Sequence, residues 1–313
     1  MVDFSQLRPI DIHKMSSKRL KLLASEVIGL QKADVRENQI LYYEPASPEA
    51  EKVHYSKAGV LGVGGGNRSS KTETCLVEDI ACATGVFPIR LFEPFMEKFR
   101  GPIRVRICVE SLTTTLYPII LPKLQWWRWE GASEPGGDLG HWGWIPKLCL
   151  LNGSWESSWR DKLRTLRVIC RDPENFDHVL GESEIQFMGY NQDAADYASG
   201  SFHIDHMDEP PPFPIWRENQ ARVIDVGGRI ILSMSWKDDP SIPVDWIFDE
   251  VYEPGLPGPN KNPDIEWIEL DTRKNIHIDQ VSVRNKMVGK SEEWKKVRIY
   301  ILPLYPGLSA DLE

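Results

Sequence analysis

An open α/β sheet, mostly parallel and flanked by helices, is the fold this sequence predicts, and three observations carry it. The apolar run Val60-Leu61-Gly62-Val63 passes through a glycine-rich turn into the helix-like Glu73-Thr74-Cys75-Leu76-Val77-Glu78-Asp79-Ile80-Ala81. Further apolar or alternating runs recur along the chain, with intervening segments that suit crossover helices. An acidic pair, Asp208-Glu209, ends one of them far downstream of the turn. Ligands of such sheets bind outside the carboxyl ends of the strands, where turn and acids are both expected.

The turn reads Gly64-Gly65-Gly66-Asn67-Arg68-Ser69-Ser70-Lys71-Thr72. Between a strand and a helix, such a loop cradles a triphosphate. Its amides and the helix N-terminus face the phosphates, the lysine reaches the β/γ oxygens, and the threonine hydroxyl holds Mg²⁺. Gly65, Lys71 and Thr72 satisfy the pattern G-x-x-x-x-G-K-[ST], with Ser70 in place of its second glycine. A serine serves there only if the backbone need not take φ > 0. A glycine-rich hairpin loop is the competing reading.

The acid segment is Ser201-Phe202-His203-Ile204-Asp205-His206-Met207-Asp208-Glu209-Pro210-Pro211-Pro212. At a strand end, Asp208 would reach the water shell of Mg²⁺ and Glu209 would activate water against the γ-phosphate. Central parallel strands usually read as continuous apolar runs, and His203, Asp205 and His206 interrupt this one. A surface acidic turn and a His-x-x-His metal site compete with the strand reading, the latter without a cysteine pair nearby. The long separation of cradle and acid suits P-loop NTPases of the ASCE/RecA-like type, which insert a strand between the two.

Four stretches in order resemble the ATPase domain of a tailed-phage terminase large subunit, the DNA-packaging motor. They are Gly65-Gly66-Asn67-Arg68-Ser69-Ser70-Lys71-Thr72, Glu184-Ile185-Gln186-Phe187-Met188-Gly189-Tyr190, Asp208-Glu209-Pro210-Pro211 and Gly227-Gly228-Arg229-Ile230-Ile231-Leu232-Ser233-Met234-Ser235-Trp236. The last resembles the strand that family ends with Thr-x-Thr-Pro, the coupling motif, with Ser233 and Ser235 in the threonine places and Trp236 in place of proline. The resemblance spans roughly residues 45–300. Upstream, Pro45-Ala46-Ser47-Pro48 and Val53-His54 fit the family's frame. Ala50 or Glu51 stands where a glutamine would read adenine, and Tyr42 or Tyr43 would stack the base instead.

The resemblance implies hydrolysis of Mg·ATP coupled to translocation of double-stranded DNA into a procapsid. It implies Lys71 and the loop amides on the phosphates, Thr72 and Asp208 on Mg²⁺, Glu209 on the water, Arg68 acting in cis on the γ-phosphate, and Ser233 and Ser235 as sensors. It further implies a pentameric ring on the portal, a small terminase subunit as partner, and the host cytoplasm as the setting. Members of the family carry a C-terminal nuclease domain. The chain stops at Glu313, about where its linker would begin, so DNA cleavage is not expected of it. A helicase- or recombinase-like ATPase and a non-hydrolysing nucleotide-binding ring scaffold are the rival functions.

Bulk properties agree with a large globular domain: 41% apolar and 27% charged residues. No apolar run approaches the ~20 residues that span a bilayer. Cys75, Cys82, Cys108, Cys149 and Cys170 are scattered within apolar stretches and read as buried thiols. A net charge of −9 argues against a protein that coats DNA but not against transient contact. Arg160, Arg164, Arg167 and Arg171 would share one helix face, as a solvated stripe, a DNA contact or a trans-acting finger.

The elements follow in order. Residues 1–45 form an N-terminal helical lid, with a capped pattern from Ser16-Ser17 that Pro45 closes. Residues 46–275 form the ATPase core. It starts with the cradle strand near 59–64 and its helix near 70–84, and continues with a strand over 103–109 and a helix over 113–124 that Pro118 interrupts or starts. Trp126, Trp127, Trp129, Trp142, Trp144, Trp155 and Trp159 fill a thin core or stack on single-stranded DNA. A helix over 246–252, a turn-rich loop over 253–263 and a last strand over 265–270 complete the core. Residues 276–313 hold a C-terminal helix, capped at Ser291, and the start of the linker.

Overall fold

The structure, a computed structural model, describes residues 17–127, 140–236 and 244–291, together with Lys295 and Ile299. The strands are β1 (Val60–Gly65), β2 (Arg104–Val109), β3 (Trp126–Trp127), β4 (His141–Trp142), β5 (Trp159–Arg160), β6 (Thr165–Asp172), β7 (Asn175–Gly189), β8 (Ile204–Asp208), β9 (Arg229–Met234) and β10 (Ile265–Leu270). Eight of them form one sheet in the order β10-β1-β9-β8-β2-β7-β6-β5. Every pairing from β10 through β7 is parallel, while β6 and β5 add an antiparallel edge. Strand β9 separates the cradle strand β1 from the acid strand β8, the inserted strand expected of the ASCE/RecA-like type.

The main helices are α1 (Ser17–Glu37), α2 (Pro48–Tyr55), α3 (Lys71–Thr84), α4 (Phe213–Arg222) and α5 (Gln280–Met287). Parallel strands need crossover connections, and those connections put apolar residues on both sheet faces. On one face Leu76 and Ile80 of α3 pack with Leu61, Val63, Ile107 and Ile231. On the other, Ile215 and Trp216 of α4 pack with Met207, Leu232, Met234 and Trp236. Strand β1 is glycine-rich because of this second layer. A Cβ on Gly62 would lie 2.1 Å from Cε3 of Trp267, and one on Gly64 2.7 Å from Cζ2 of the same ring.

Two local expectations are corrected. The four arginines share no helix face: Arg160 ends β5, Arg164 is a left-handed turn residue at φ 47°, and Arg167 and Arg171 lie in β6. Arg171 donates instead to the Leu148 and Phe176 carbonyls, and Arg167 pairs with Glu182. The run 163–171 reads at period two as well as at helical spacing, and pairing with β7 decides the outcome. Residues 253–255 continue the helical stretch rather than opening a loop, and α5 precedes the helix expected from Ser291, whose residues 292–294 lie outside the described residues. Trp126 is buried against Trp142, which favours the core reading for that pair, and Trp129 lies outside the described residues.

Candidate active site

The loop between β1 and α3 turns tightly because two of its non-glycine residues adopt left-handed backbone, Arg68 at φ 69° and Ser70 at φ 73°. The condition that Ser70 need not take positive φ is therefore not met: serine occupies the conformation that glycine would take without steric cost. Gly65 meets a different need. A Cβ there would lie 2.4 Å from Ser69 Oγ and 2.9 Å from the Lys71 side chain. Lys71 is buried and donates to the carbonyls of Gly65 at 2.7 Å and Gly66 at 3.0 Å. Burial lowers its pKa, against the pull of Glu209 and Asp208. The Ser69 hydroxyl is buried without a partner inside the loop, and Asn67 and Arg68 are exposed.

Strand β8 delivers the acids to this loop. Thr72 Oγ1 donates to Asp208 Oδ1 at 3.1 Å, and Ser233 Oγ donates to the same oxygen at 2.9 Å. A hydroxyl and a carboxylate that converge beside an orphaned serine are oxygen donors of the kind Mg²⁺ takes along with substrate phosphates. Among the described residues no group of three or more His, Cys, Asp or Glu is placed to hold a metal. His203 instead accepts from the Arg104 amide at 3.1 Å.

Glu209 lies just past β8, also left-handed at φ 71°. Its amide donates to the Ser233 carbonyl at 2.7 Å and its Oε2 accepts from the Ser235 amide at 3.2 Å. The Tyr190 hydroxyl donates to the Glu209 carbonyl at 2.8 Å. The two serines thus meet the acidic pair in different ways, Ser233 through its hydroxyl and Ser235 through its backbone. Trp236 packs against Phe248, Tyr252 and Trp267.

The polar residues of β8 each have a buried partner. His206 Nδ1 donates to Asp79 Oδ2 at 2.6 Å, and its Nε2 lies 3.0 Å from Ser233 Oγ. Where that hydroxyl donates to Asp208, Nε2 faces it as a donor, which favours the protonated ring. Burial alone would lower the His206 pKa, but Asp79 overrides it and raises the pKa well above the usual value. Asp205 faces Arg106, itself held by Asn219 at 2.6 Å and by the Ser199 carbonyl at 2.9 Å. Sequence alone assigns Asp79 no role in the site, and His206 only a place in the competing metal reading. Thr72 and Asp79 sit seven apart, two turns on one face of α3, which is the available signal.

Beside the loop a cavity of about 370 Å³ is lined by Gln39, Tyr42, Tyr43, Glu73, Trp144 and His277. Both tyrosines reach it, and so does a glutamine, but from position 39; Ala50 is buried in α2. Glu73 is fixed by Trp144 Nε1 at 2.5 Å and by Lys123. His54 packs behind Tyr43, bonded to it at 3.1 Å and to Glu78 at 2.9 Å. A larger cavity of about 430 Å³, bordered by Gly59, Ile204 and Arg229, opens at the opposite, amino ends of the strands.

Sheet order, glycine loop and strand-end acids together give the chain the P-loop NTPase fold of the RecA-like type. Solved structures narrow the fold further. The chain is similar to the ATPase domain of the large terminase of Thermus phage P74-26, at 13% identity, with 84% of this chain and 95% of that one covered and a TM-score of 0.50. It is also similar to the large terminase of a second, thermophilic bacteriophage, at 12% identity, 80% and 52% coverage and a TM-score of 0.52. That second terminase, solved in complex with ATP-γ-S, matches at 10% identity over 82% of this chain and 53% of that one, TM-score 0.50. The chain thus has the fold of phage large-terminase ATPase domains and spans about half the length of the second terminase. No family profile and no curated protein matches the sequence.

Proposed function

We propose that this protein is the ATP-hydrolysing motor domain of a viral large terminase, driving double-stranded DNA into a procapsid. The observation that carries the proposal is the contact of Thr72 with Asp208, remote in sequence yet 3.1 Å apart at the strand ends. In this reading Lys71 exchanges its loop carbonyls for the β- and γ-phosphate oxygens, while the loop amides and the Ser69 hydroxyl complete the cradle. Thr72 and Asp208 hold Mg²⁺, which when bound neutralises charge developing on the phosphates. Glu209 orients and deprotonates the attacking water. Arg68, exposed at the loop tip, turns toward the γ-phosphate in cis. The base enters the cavity beside Ser70, between Tyr42 or Tyr43 and Trp144, with Gln39 supplying an amide to its edge.

Ser233 and Ser235 touch both acids, so loss of the γ-phosphate shifts the strand that carries them. The motor acts as a ring on a portal, a pentamer in the packaging arrangement, with a small subunit selecting DNA in the host cytoplasm. Residues 1–45 serve as lid, 46–275 as motor core and 276–313 as the C-terminal segment. Phosphate release from ATP, with and without double-stranded DNA, tests the proposal. ATP binding without hydrolysis would favour the scaffold reading, to which the strained Ser70 lends its one specific support.

A further inference from the structure

The turn that follows β10 grips the glycine-rich loop from outside. Thr272 Oγ1 donates to the Asn67 carbonyl at 3.0 Å. Asn275 Nδ2 donates to the Arg68 carbonyl at 2.7 Å and to Ser70 Oγ at 3.0 Å. Both side chains are buried, at 1% and 2% exposure, so these bonds form away from competing water. The two residues Asn275 engages are the same two whose backbones are left-handed. The Arg68 side chain is exposed at the loop tip, so it is the backbone of this residue, not its guanidinium, that the turn holds.

The turn itself is well anchored. Gln280 Nε2 donates to the Asn275 carbonyl at 2.8 Å, and the Ile276 amide donates to the Ala46 carbonyl at 2.9 Å. Lys274 pairs with Glu49 at 2.6 Å, and the Asp271 carboxylate caps the turn through the Arg273 amide at 2.8 Å. It therefore stands as a fixed post between the phosphate loop and the segment leading into α2.

We propose that Asn275, assisted by Thr272, is a positioning residue that does for this loop what a glycine at position 70 would otherwise do. A left-handed serine is disfavoured unless its surroundings hold it. The Asn275 carboxamide presents two N–H donors on one planar group, and the structure uses both, one per left-handed residue. The loop amides then point inward before any ligand arrives. Asn275 touches no nucleotide atom in this scheme; it acts through residues 68–70. The proposal rests on the nucleotide-binding reading, and it also ties the chain beyond β10 to the state of the loop.

The test compares the full chain with Asn275→Ala, Thr272→Val, Ser70→Gly and the double variant Asn275→Ala/Ser70→Gly. Two quantities are read: hydrogen exchange of the amides over residues 66–70 without ligand, and affinity for a fluorescent ATP analogue with Mg²⁺. Asn275→Ala is expected to speed loop exchange and weaken analogue binding, each about tenfold, with the β8 and β9 amides still protected. Thr272→Val, which loses one bond and keeps its shape, is expected to give roughly a threefold effect. The double variant is expected to recover at least half of the lost affinity, because glycine takes the left-handed backbone unaided. A merely structural asparagine would lower Tm without that recovery. Wild-type exchange in Asn275→Ala, or no recovery in the double variant, would overturn the proposal. Failure of the unaltered chain to bind the analogue, with loop exchange still responding to Asn275→Ala, would sink the nucleotide reading and leave the grip standing.

Discussion

Replacing Glu209 by glutamine isolates the chemistry assigned to one carboxylate. The side chain is held by contacts that glutamine can largely keep. Its Oε2 accepts from the Ser235 amide at 3.2 Å, which an amide oxygen also can do, and its own N–H to the Ser233 carbonyl at 2.7 Å involves only backbone. The left-handed backbone at φ 71° is equally available to both residues, so the fold should survive. What changes is the basicity of the group and one of the negative charges that act on Lys71. Losing a positioned general base costs about 10²–10⁴ in rate, so turnover is expected to fall at least ~100-fold, or ~2.7 kcal/mol of barrier. Binding of ATP should hold or tighten slightly, because removing a nearby carboxylate leaves Lys71 freer to pair with phosphate. Steady-state phosphate release and equilibrium binding of a labelled analogue separate the two. Hydrolysis within threefold of the unaltered chain would refute the assignment, whatever the binding result.

Three further outcomes follow from the same geometry. Ser70→Ala keeps the left-handed backbone and loses the bond from Asn275, so it should cost ~1 kcal/mol, whereas Ser70→Gly loses the same bond but relieves the backbone and should lie close to wild type; equal Tm values for the two would remove the strain argument. Gly62→Ala puts a methyl 2.1 Å from the Trp267 ring and should destabilise by about 1–3 kcal/mol in denaturant melts, with wild-type stability counting against the packing described for β1. Glu269, buried beside Trp267, has its pKa raised from 4.5 to about 7 by burial, against the hydrogen bond from Trp267 Nε1 and the charge of Lys71. Its folded pKa exceeds its unfolded one, so its stabilising share is complete below pH 4.5 and is lost as pH rises through 7. Glu269→Gln should therefore gain stability relative to wild type, on the order of 2 kcal/mol more at pH 8.5 than at pH 5.5, and a pH-independent difference would contradict the shift.

Much of the fold is legible because the parallel sheet writes itself in local chemistry. Strands β1, β2 and β10 fall within a residue or two of their apolar runs, and α3 begins at the lysine of the loop. The acid strand can be located despite its polarity, because Asp208-Glu209 has to end a strand once the cradle is accepted. The β6–β7 hairpin is hidden because arginines spaced four, three and four along the chain fit a helix face, and only long-range pairing refutes that. Ser70 misleads for a related reason. Its strain is offset by Asn275, 205 positions away, and no local pattern encodes so remote a donor. The cavity proposed for the base is half legible: the tyrosines stand out in the sequence, while Gln39 and Trp144 reach it from segments whose packing only tertiary structure supplies.

The polarity that makes β8 an unusual central strand is better explained by what it aligns. Burying His206 and Asp79 costs free energy that a valine and a leucine would not incur, and a buried ion pair is weak support for stability. The contacts instead form a closed circuit. Asp79 holds His206, His206 donates to Ser233, Ser233 donates to Asp208, and Asp208 accepts from Thr72. Thr72 and Asp79 belong to one helix, so α3 is fastened to β8 at two points, and β9 is captured between them. The Ser233 hydroxyl, with the His206 ring on one side and the Asp208 carboxylate on the other, has its proton directed to Asp208. In the proposed reading, a carboxylate and a threonine that share a small divalent cation need that fixed orientation more than the sheet needs another apolar side chain. Local rules fail on this strand at the residues that the site requires, as expected where function competes with packing.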